Sequence, residues 1–280
     1  MPNESARRTA MVTGASRGIG RATALELALR GWNLVLTARS VDGGATFDGT
    51  STHDELSGMA LSGSIRETAE ACRAVDPGCR VLPVAMDLTR EDSVRLAASA
   101  ALDAFGRVDA LVSNAIYQGP GVNDRIVDVP VELVRRVIEG DAVAPLVLLG
   151  ELLPGMLGSG AGVYVHLTSG AASLAPRAPA GQGGWGVAYA MAKGAAHRVA
   201  GVLHAEHAFD GLRAYSLNPG HVTTEVMAER ARRAGREATG QAPDDTAWVI
   251  GWLLDGGDEQ SSLAGSEVVA RDVVQRLRRS

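Results

Sequence analysis

Seven short apolar segments, separated by longer stretches of helical periodicity, constrain this chain more than any other feature. They are TAMVT (residues 9–13), NLVLT (33–37), VLPVA (81–85), ALVS (110–113), GVYVHL (162–167), RAYSL (213–217) and EVVA (267–270). Most are continuous rather than alternating, as befits strands covered on both faces. Helix candidates lie between them at 19–30, 65–74, 92–105, 131–157, 187–209 and 243–254. A strand, a helix and a second parallel strand close as a right-handed crossover. The pattern therefore predicts an α/β fold: a doubly wound, seven-stranded, mostly parallel sheet with helices on both faces. Ligands of such sheets sit at the carboxyl ends of the strands.

Composition narrows the function classes. The 280 residues are 46% hydrophobic and 21% charged, with a formal net charge of −5. This suits a globular chain folded as one domain over 1–280, and it offers no basic excess for nucleic acid. Cys72 and Cys79 lack the paired spacing of a zinc site and read as reduced thiols. The N-terminal MPNESARRTAMVTG runs straight into a strand without a signal-peptide core, and no apolar run reaches the roughly 18 residues of a membrane span. A cytoplasmic protein with no membrane partner is expected. Two segments break the rhythm and read as insertions. Residues 41–63 are rich in Gly, Ser, Thr and Asp, and residues 176–186 set Pro and Gly around Trp185.

The first strand runs into TGASRGIG and then a helix. Glycines at such a turn let the backbone approach a pyrophosphate, whose charge the free N–H groups and positive helix end stabilise. No Lys-Ser/Thr pair follows, which disfavours an ATPase. Downstream come SNA after the fourth strand, a serine after the fifth and YAMAK, residues 189–193, opening the next helix. On a helix, residues four apart share a face, so Tyr189 and Lys193 can address one site. An ammonium beside a phenol favours the phenolate and lowers its pKa, making the tyrosine usable as a proton relay.

Together these motifs closely resemble the short-chain dehydrogenase/reductase family from about residue 9 to residue 224. The resemblance implies a Rossmann-type, dinucleotide-binding domain and a Ser-Tyr-Lys site that moves a hydride between a nicotinamide and a carbonyl/alcohol pair. Tyr189 would be the acid/base, Lys193 its modulator and ribose ligand, and Ser169 the carbonyl anchor, with Thr168 as the alternative serine-like group. Asp141 stands where the family often has asparagine, a position that links a water to the lysine. Gly14, Ser16, Arg17, Gly18, Ile19 and Gly20 would cradle the phosphates, and Asp87 and Leu88 would flank the adenine. Asn114 and Ala115 would line the cleft, and Pro219, Gly220, Val222 and Thr224 of NPGHVTT would bracket the carboxamide and phosphates. Ala38 occupies the place of the acid that holds the NAD ribose, and Arg39 follows it. With Arg17, this favours NADP(H) over NAD(H) as cofactor.

The family's NNAG is SNAI in this chain, so Ile116 puts a branched side chain beside the cofactor. Ile116, Tyr117, Trp185 and Met227 are expected to border an apolar pocket for a small carbonyl or alcohol substrate. A segment at about 222–245 would cover it, and the insertion at 41–63 would lie beside the adenosine end. His204 and His207 flank Glu206 without the arrangement of a zinc helix, so no metal is expected. In the resembled family, helices like the Ala-, Val- and Leu-rich ones at 131–157 and 187–209 pair between copies, so the resemblance implies a homodimer or homotetramer. Two other readings stand beside this one: a nicotinamide-binding scaffold that has lost turnover, kept alive by Ile116 and Asp141, and an epimerase of the extended branch, whose glycine spacing is absent.

Overall fold

The structure, a computed structural model, describes residues 7–233 and 235–277. Strands β1 (Thr9–Thr13), β2 (Asn33–Ala38), β3 (Val81–Ala85), β4 (Ala110–Ser113), β5 (Val163–Leu167), β6 (Arg213–Asn218) and β7 (Glu267–Val269) form one sheet. Their order is β3-β2-β1-β4-β5-β6-β7, and every neighbouring pair is parallel. The helices are α1 (Gly18–Leu29), α2 (Ile65–Val75), α3 (Glu91–Phe105), α4 (Val131–Ile138), α5 (Ala144–Gly158), α6 (Val187–His197), α7 (Val199–His207), α8 (Glu225–Arg233), α9 (Pro243–Asp255), α10 (Asp258–Ser262) and α11 (Ala270–Leu277).

Alternation along each strand feeds two apolar layers. Val12, Leu36 and Val112 pack with Leu27 of α1, Ile65 of α2 and Leu253 of α9. Their chain neighbours Met11, Val35 and Leu111 pack on the other side with Val94 of α3, Leu148 and Leu152 of α5 and Leu203 of α7. Both faces are dry, which explains the continuous apolar runs in the sequence. β3 is an edge strand, and this is why it tolerates Pro83, whose missing N–H would break an interior ladder. The strand order reverses between β1 and β4, so a crevice opens at their carboxyl ends.

The structure departs from the sequence expectation at several elements. The single helix expected at 131–157 is two, joined by a π-helical turn over Glu139–Val143 that turns Asp141 inward to 1% exposure. Such wide turns shift the helix face by part of a turn. Val131–Gly158 as a whole is also long and apolar enough to cross a membrane, contrary to the expectation that no apolar run reaches that length. Its apolarity serves the core, since Leu148, Leu152 and Met156 are buried against the sheet. The helix expected at 187–209 breaks at Arg198 into α6 and α7. Helices α8, α10 and α11 were not anticipated; α8 buries only Val226, so its charge-rich sequence reads as a loop.

The 41–63 insertion is packed rather than bare. Thr46 and Ala60 form an antiparallel bridge, and Phe47, Leu56 and Leu61 bury themselves with Val226 of α8. Asp124, from the loop after β4, accepts hydrogen bonds from the Thr52 N–H at 3.0 Å, the Thr52 hydroxyl at 2.7 Å and the Gly121 N–H at 2.7 Å. Arg230 of α8 reaches back to Asp54 in an ion pair and lies over the Phe47 ring. The insertion thus ties the β2 side of the crevice to α8 and to the loop after β4.

Candidate active site

A cavity of about 1180 Å³ occupies the crevice. Its floor is the turn after β1, where Gly14 and Gly18 take φ of 69° and 54°, values that disfavour a side chain. A Cβ on Gly20 would overlap the Gly14 carbonyl, so that glycine closes the turn on itself, while the Cβ position of Gly18 meets open space. An anion can therefore reach the backbone N–H groups at the start of α1. β4 is fastened to this turn by Thr13. The Thr13 hydroxyl accepts the N–H groups of Asn114 and Ala115 at 3.0 and 2.9 Å, and the Asn114 side-chain amide donates to the Thr13 carbonyl at 2.8 Å.

Most of the residues singled out from the sequence meet in this cavity. Gly14, Ser16, Arg17, Gly18, Ile19, Arg39, Asp87, Leu88, Asn114, Ala115, Ile116, Tyr117, Tyr189, Lys193, Pro219 and Thr224 all line it. Gly20 lies behind the turn, and Gly220 and Val222 do not reach the lining. Neither do the expected substrate contacts Trp185 and Met227, which is a correction. Trp185 belongs to a loop anchored at Gly186 against the backbone of Val122 and Asp124, and the Met227 N–H is turned to the Thr224 hydroxyl. In their place Leu61 of the insertion and Glu225 and Val226 of α8 supply the wall. Leu61 is unreachable by motif, because only the tertiary packing of the insertion brings it there.

The chemistry of the site is concentrated on α6. Lys193 is 2% exposed, and its ammonium donates to the Leu167 carbonyl at the end of β5 at 2.8 Å. Burial lowers its pKa, and Asp141 opposes that shift. The same ammonium lies 5.9 Å from the centre of the Tyr189 ring. The expectation of a lowered tyrosine pKa is corrected by this structure. Burial pushes Tyr189 up to about 12, with the Ser169 hydrogen bond opposing and the Asp141 charge adding to the rise. Desolvation is the largest cause, and it favours the protonated phenol at neutral pH.

Ser169 does not line the cavity; its hydroxyl lowers the Tyr189 pKa and caps the short turn Gly170–Ala172 by accepting the Ala171 N–H at 3.2 Å. Thr168, the alternative, does line the cavity, yet its hydroxyl pairs with His197 Nδ1 at 3.0 Å. Of the two, Ser169 and not Thr168 acts on the Tyr189 pKa. Below the lysine, burial holds His166 neutral, well below its usual pKa, with Lys193 and His197 acting in the same direction.

Asp141 stands behind this group rather than in the cavity. One oxygen accepts the Tyr117 N–H at 2.5 Å, and the other, Oδ2, is buried without a partner. Burial raises its pKa to about 6, against the opposing effects of Lys193 and the Tyr117 N–H.

The family described as short chain dehydrogenase matches this chain over residues 8–75 and 58–235. The chain belongs to the short-chain dehydrogenase/reductase family. Within it, 1-deoxy-11-beta-hydroxypentalenate dehydrogenase of Streptomyces arenae is 30% identical over 273 residues, 95% of this chain and 86% of the relative. Cis-4-hydroxycyclohexanecarboxylate dehydrogenase of Sinomonas cyclohexanicum is 30% identical over 272 residues, 93% of this chain and 94% of the relative. The fold is that of L-sorbose reductase from Gluconobacter frateurii, solved with NADPH and L-sorbose, with a TM-score of 0.75, 24% identity and 94% of each chain covered.

One consequence concerns Asp141. Its folded-state pKa of about 6 lies above the unfolded value of about 3.9, so through that window the folded chain holds the proton longer and stability falls as pH rises. Asp141→Asn should therefore have a higher melting temperature than the natural protein at about pH 8, with the gain disappearing towards about pH 4. An equal or lower melting temperature at the higher pH would mean that Lys193 fully compensates the buried carboxylate.

Proposed function

We propose that this short-chain dehydrogenase/reductase is NADP(H)-dependent and interconverts a ketone and a secondary alcohol on a small, largely apolar, alicyclic substrate. The observation that carries the reading is the shared face of α6, from which Tyr189 and Lys193 open together onto the cavity whose floor is the glycine turn. A nicotinamide dinucleotide held there supplies or accepts the hydride. The chain's own part is to position and to move a proton. Tyr189 donates its phenolic hydrogen to the substrate oxygen during reduction and recovers it during oxidation, and its raised pKa suits the donor role. Ser169 holds the tyrosine hydroxyl and the carbonyl in line, so that charge developing on the oxygen meets a preplaced donor. Lys193, fixed by the Leu167 carbonyl, is the group placed to hold the nicotinamide ribose.

Three features support the cofactor and substrate class. Ala38 leaves the end of β2 without the acid that suits NAD, while Arg39 and Arg17 line the adenosine end of the cavity. Ile116, Tyr117, Pro120, Leu167 and Val226 give the cavity apolar wall. The names of the two relatives both denote oxidation of a hydroxyl on an alicyclic skeleton. We place the protein in the cytoplasm, where NADP(H) is available.

The test is NADPH oxidation with a panel of cyclic ketones. Turnover is expected with the natural protein, and Tyr189→Phe should lower it by about 10²–10⁴-fold, the range of a lost general acid, with cofactor binding retained. Full turnover by Tyr189→Phe would refute the assignment.

The reading extends to a homo-oligomer. Leu146 of α5, Met191 of α6 and Val202 of α7 are large apolar side chains about half exposed, at 48%, 51% and 53%. Helices so disposed present a face for a second copy. Light scattering should return at least twice the 29.0 kDa chain mass, and a single-chain mass would contradict it.

A further inference from the structure

We propose that Asp48, carried by the 41–63 insertion, sets cofactor choice by competing with the cofactor's 2′-phosphate for Arg39. Arg39 follows directly on β2 and lines the adenosine end of the cavity, and Asp48 lines it too. The two are joined there: Arg39 Nη1 donates to Asp48 Oδ2 at 2.5 Å. The cation that would receive a phosphate already has an anionic partner, supplied by the protein nine residues along the chain.

The partner is built in rather than incidental. Its neighbour Phe47 is buried at 1% exposure, and the backbone of Phe47 is held on both sides, donating to the Met59 carbonyl and accepting from the Gly58 N–H, each at 2.8 Å. After Asp48 the chain turns at Gly49, with φ of 87°, a conformation that favours glycine. Asp48 is thereby presented to the cavity by a fixed backbone, while its side chain stays 41% exposed and has solvent into which it can rotate. Arg17 differs. Its guanidinium donates to the Ser62 and Gly63 carbonyls at 2.9 and 3.3 Å, partners that balance no charge. Of the two arginines, only Arg39 has its charge cancelled by a carboxylate in contact.

A phosphate entering this end must take the guanidinium from Asp48 and then lie close to the displaced carboxylate. An acidic neighbour works against a phosphate by like-charge repulsion. A ribose 2′-hydroxyl carries no charge to be repelled, so binding of NAD(H) does not require the exchange. Asp48 therefore narrows the preference that Arg39 creates, and its removal should widen it. This inference rests on the NADP(H) reading above.

The experiment measures dissociation constants of NADP⁺ and NAD⁺ by calorimetry at low salt for the natural protein, Asp48→Asn and Arg39→Ala. Asp48→Asn is expected to tighten NADP⁺ by about three- to fivefold, as suits a solvent-exposed ion pair, and to change NAD⁺ less than about twofold. Adenosine 2′-monophosphate, used as a probe of the phosphate site alone, should follow NADP⁺. Arg39→Ala should weaken NADP⁺ and leave NAD⁺ in place. If Arg39→Ala has that effect but Asp48→Asn changes both cofactors equally or neither, the role given to Asp48 is wrong and the NADP(H) reading stands. If Arg39→Ala leaves NADP⁺ binding untouched, the NADP(H) reading fails, and the role of Asp48 fails with it.

Discussion

The hydroxyl of Thr13 decides where this molecule can work. It sits at the last residue of β1 and takes the N–H groups of Asn114 and Ala115, the first two residues beyond β4. β1 and β4 are the strands between which the order of the sheet reverses, so this hydroxyl closes the bottom of the crevice that the topology opens. The Asn114 amide adds a second tie to the Thr13 carbonyl, and both Gly14 and Gly20 lack the side chain that would push it away. Everything placed around the cavity, from the glycine turn to α6, is positioned relative to that seam.

A second constraint is electrostatic. The fold buries an ammonium, a carboxylate, an imidazole and a phenol close together near the end of β5. In a poorly solvated place each charge depends on its neighbours. Lys193 has a carbonyl partner and the field of Asp141, His166 is held neutral, and Tyr189 is held protonated. Asp141 keeps one oxygen on a backbone N–H and leaves the other unpaired, a costly arrangement for a buried carboxyl group. The π turn over Glu139–Val143 is the local feature that brings it in.

Much of this was legible in the sequence. All seven strand segments were read within a residue at each end, because burial on both faces writes itself as continuous Val, Leu and Ala. The glycine turn and the YAMAK pair were legible because a phosphate and a shared helix face impose fixed spacings. The failures have physical reasons. Periodicity over 131–157 does not register a π turn, since the residues on either side stay helical, and it does not register the break at Arg198 for the same reason. α8 buries one residue, Val226, and a single buried side chain leaves no pattern. Trp185 and Met227 were chosen for bulk near the right motifs, whereas the wall is supplied by Leu61 and Val226, which meet only because the insertion folds onto α8. The direction of the Tyr189 shift was misread because spacing reveals the ammonium but not the loss of water.

The account stands on Tyr189 and Lys193 meeting the reactive end of a bound nicotinamide. A crystal structure of the protein with NADP⁺ examines that contact directly. The Tyr189 hydroxyl should face the nicotinamide ring across the space left for substrate, with the Lys193 ammonium in hydrogen-bonding distance of the ribose hydroxyls. A tyrosine hydroxyl directed away from the ring, with Lys193 touching no part of the sugar, would contradict it.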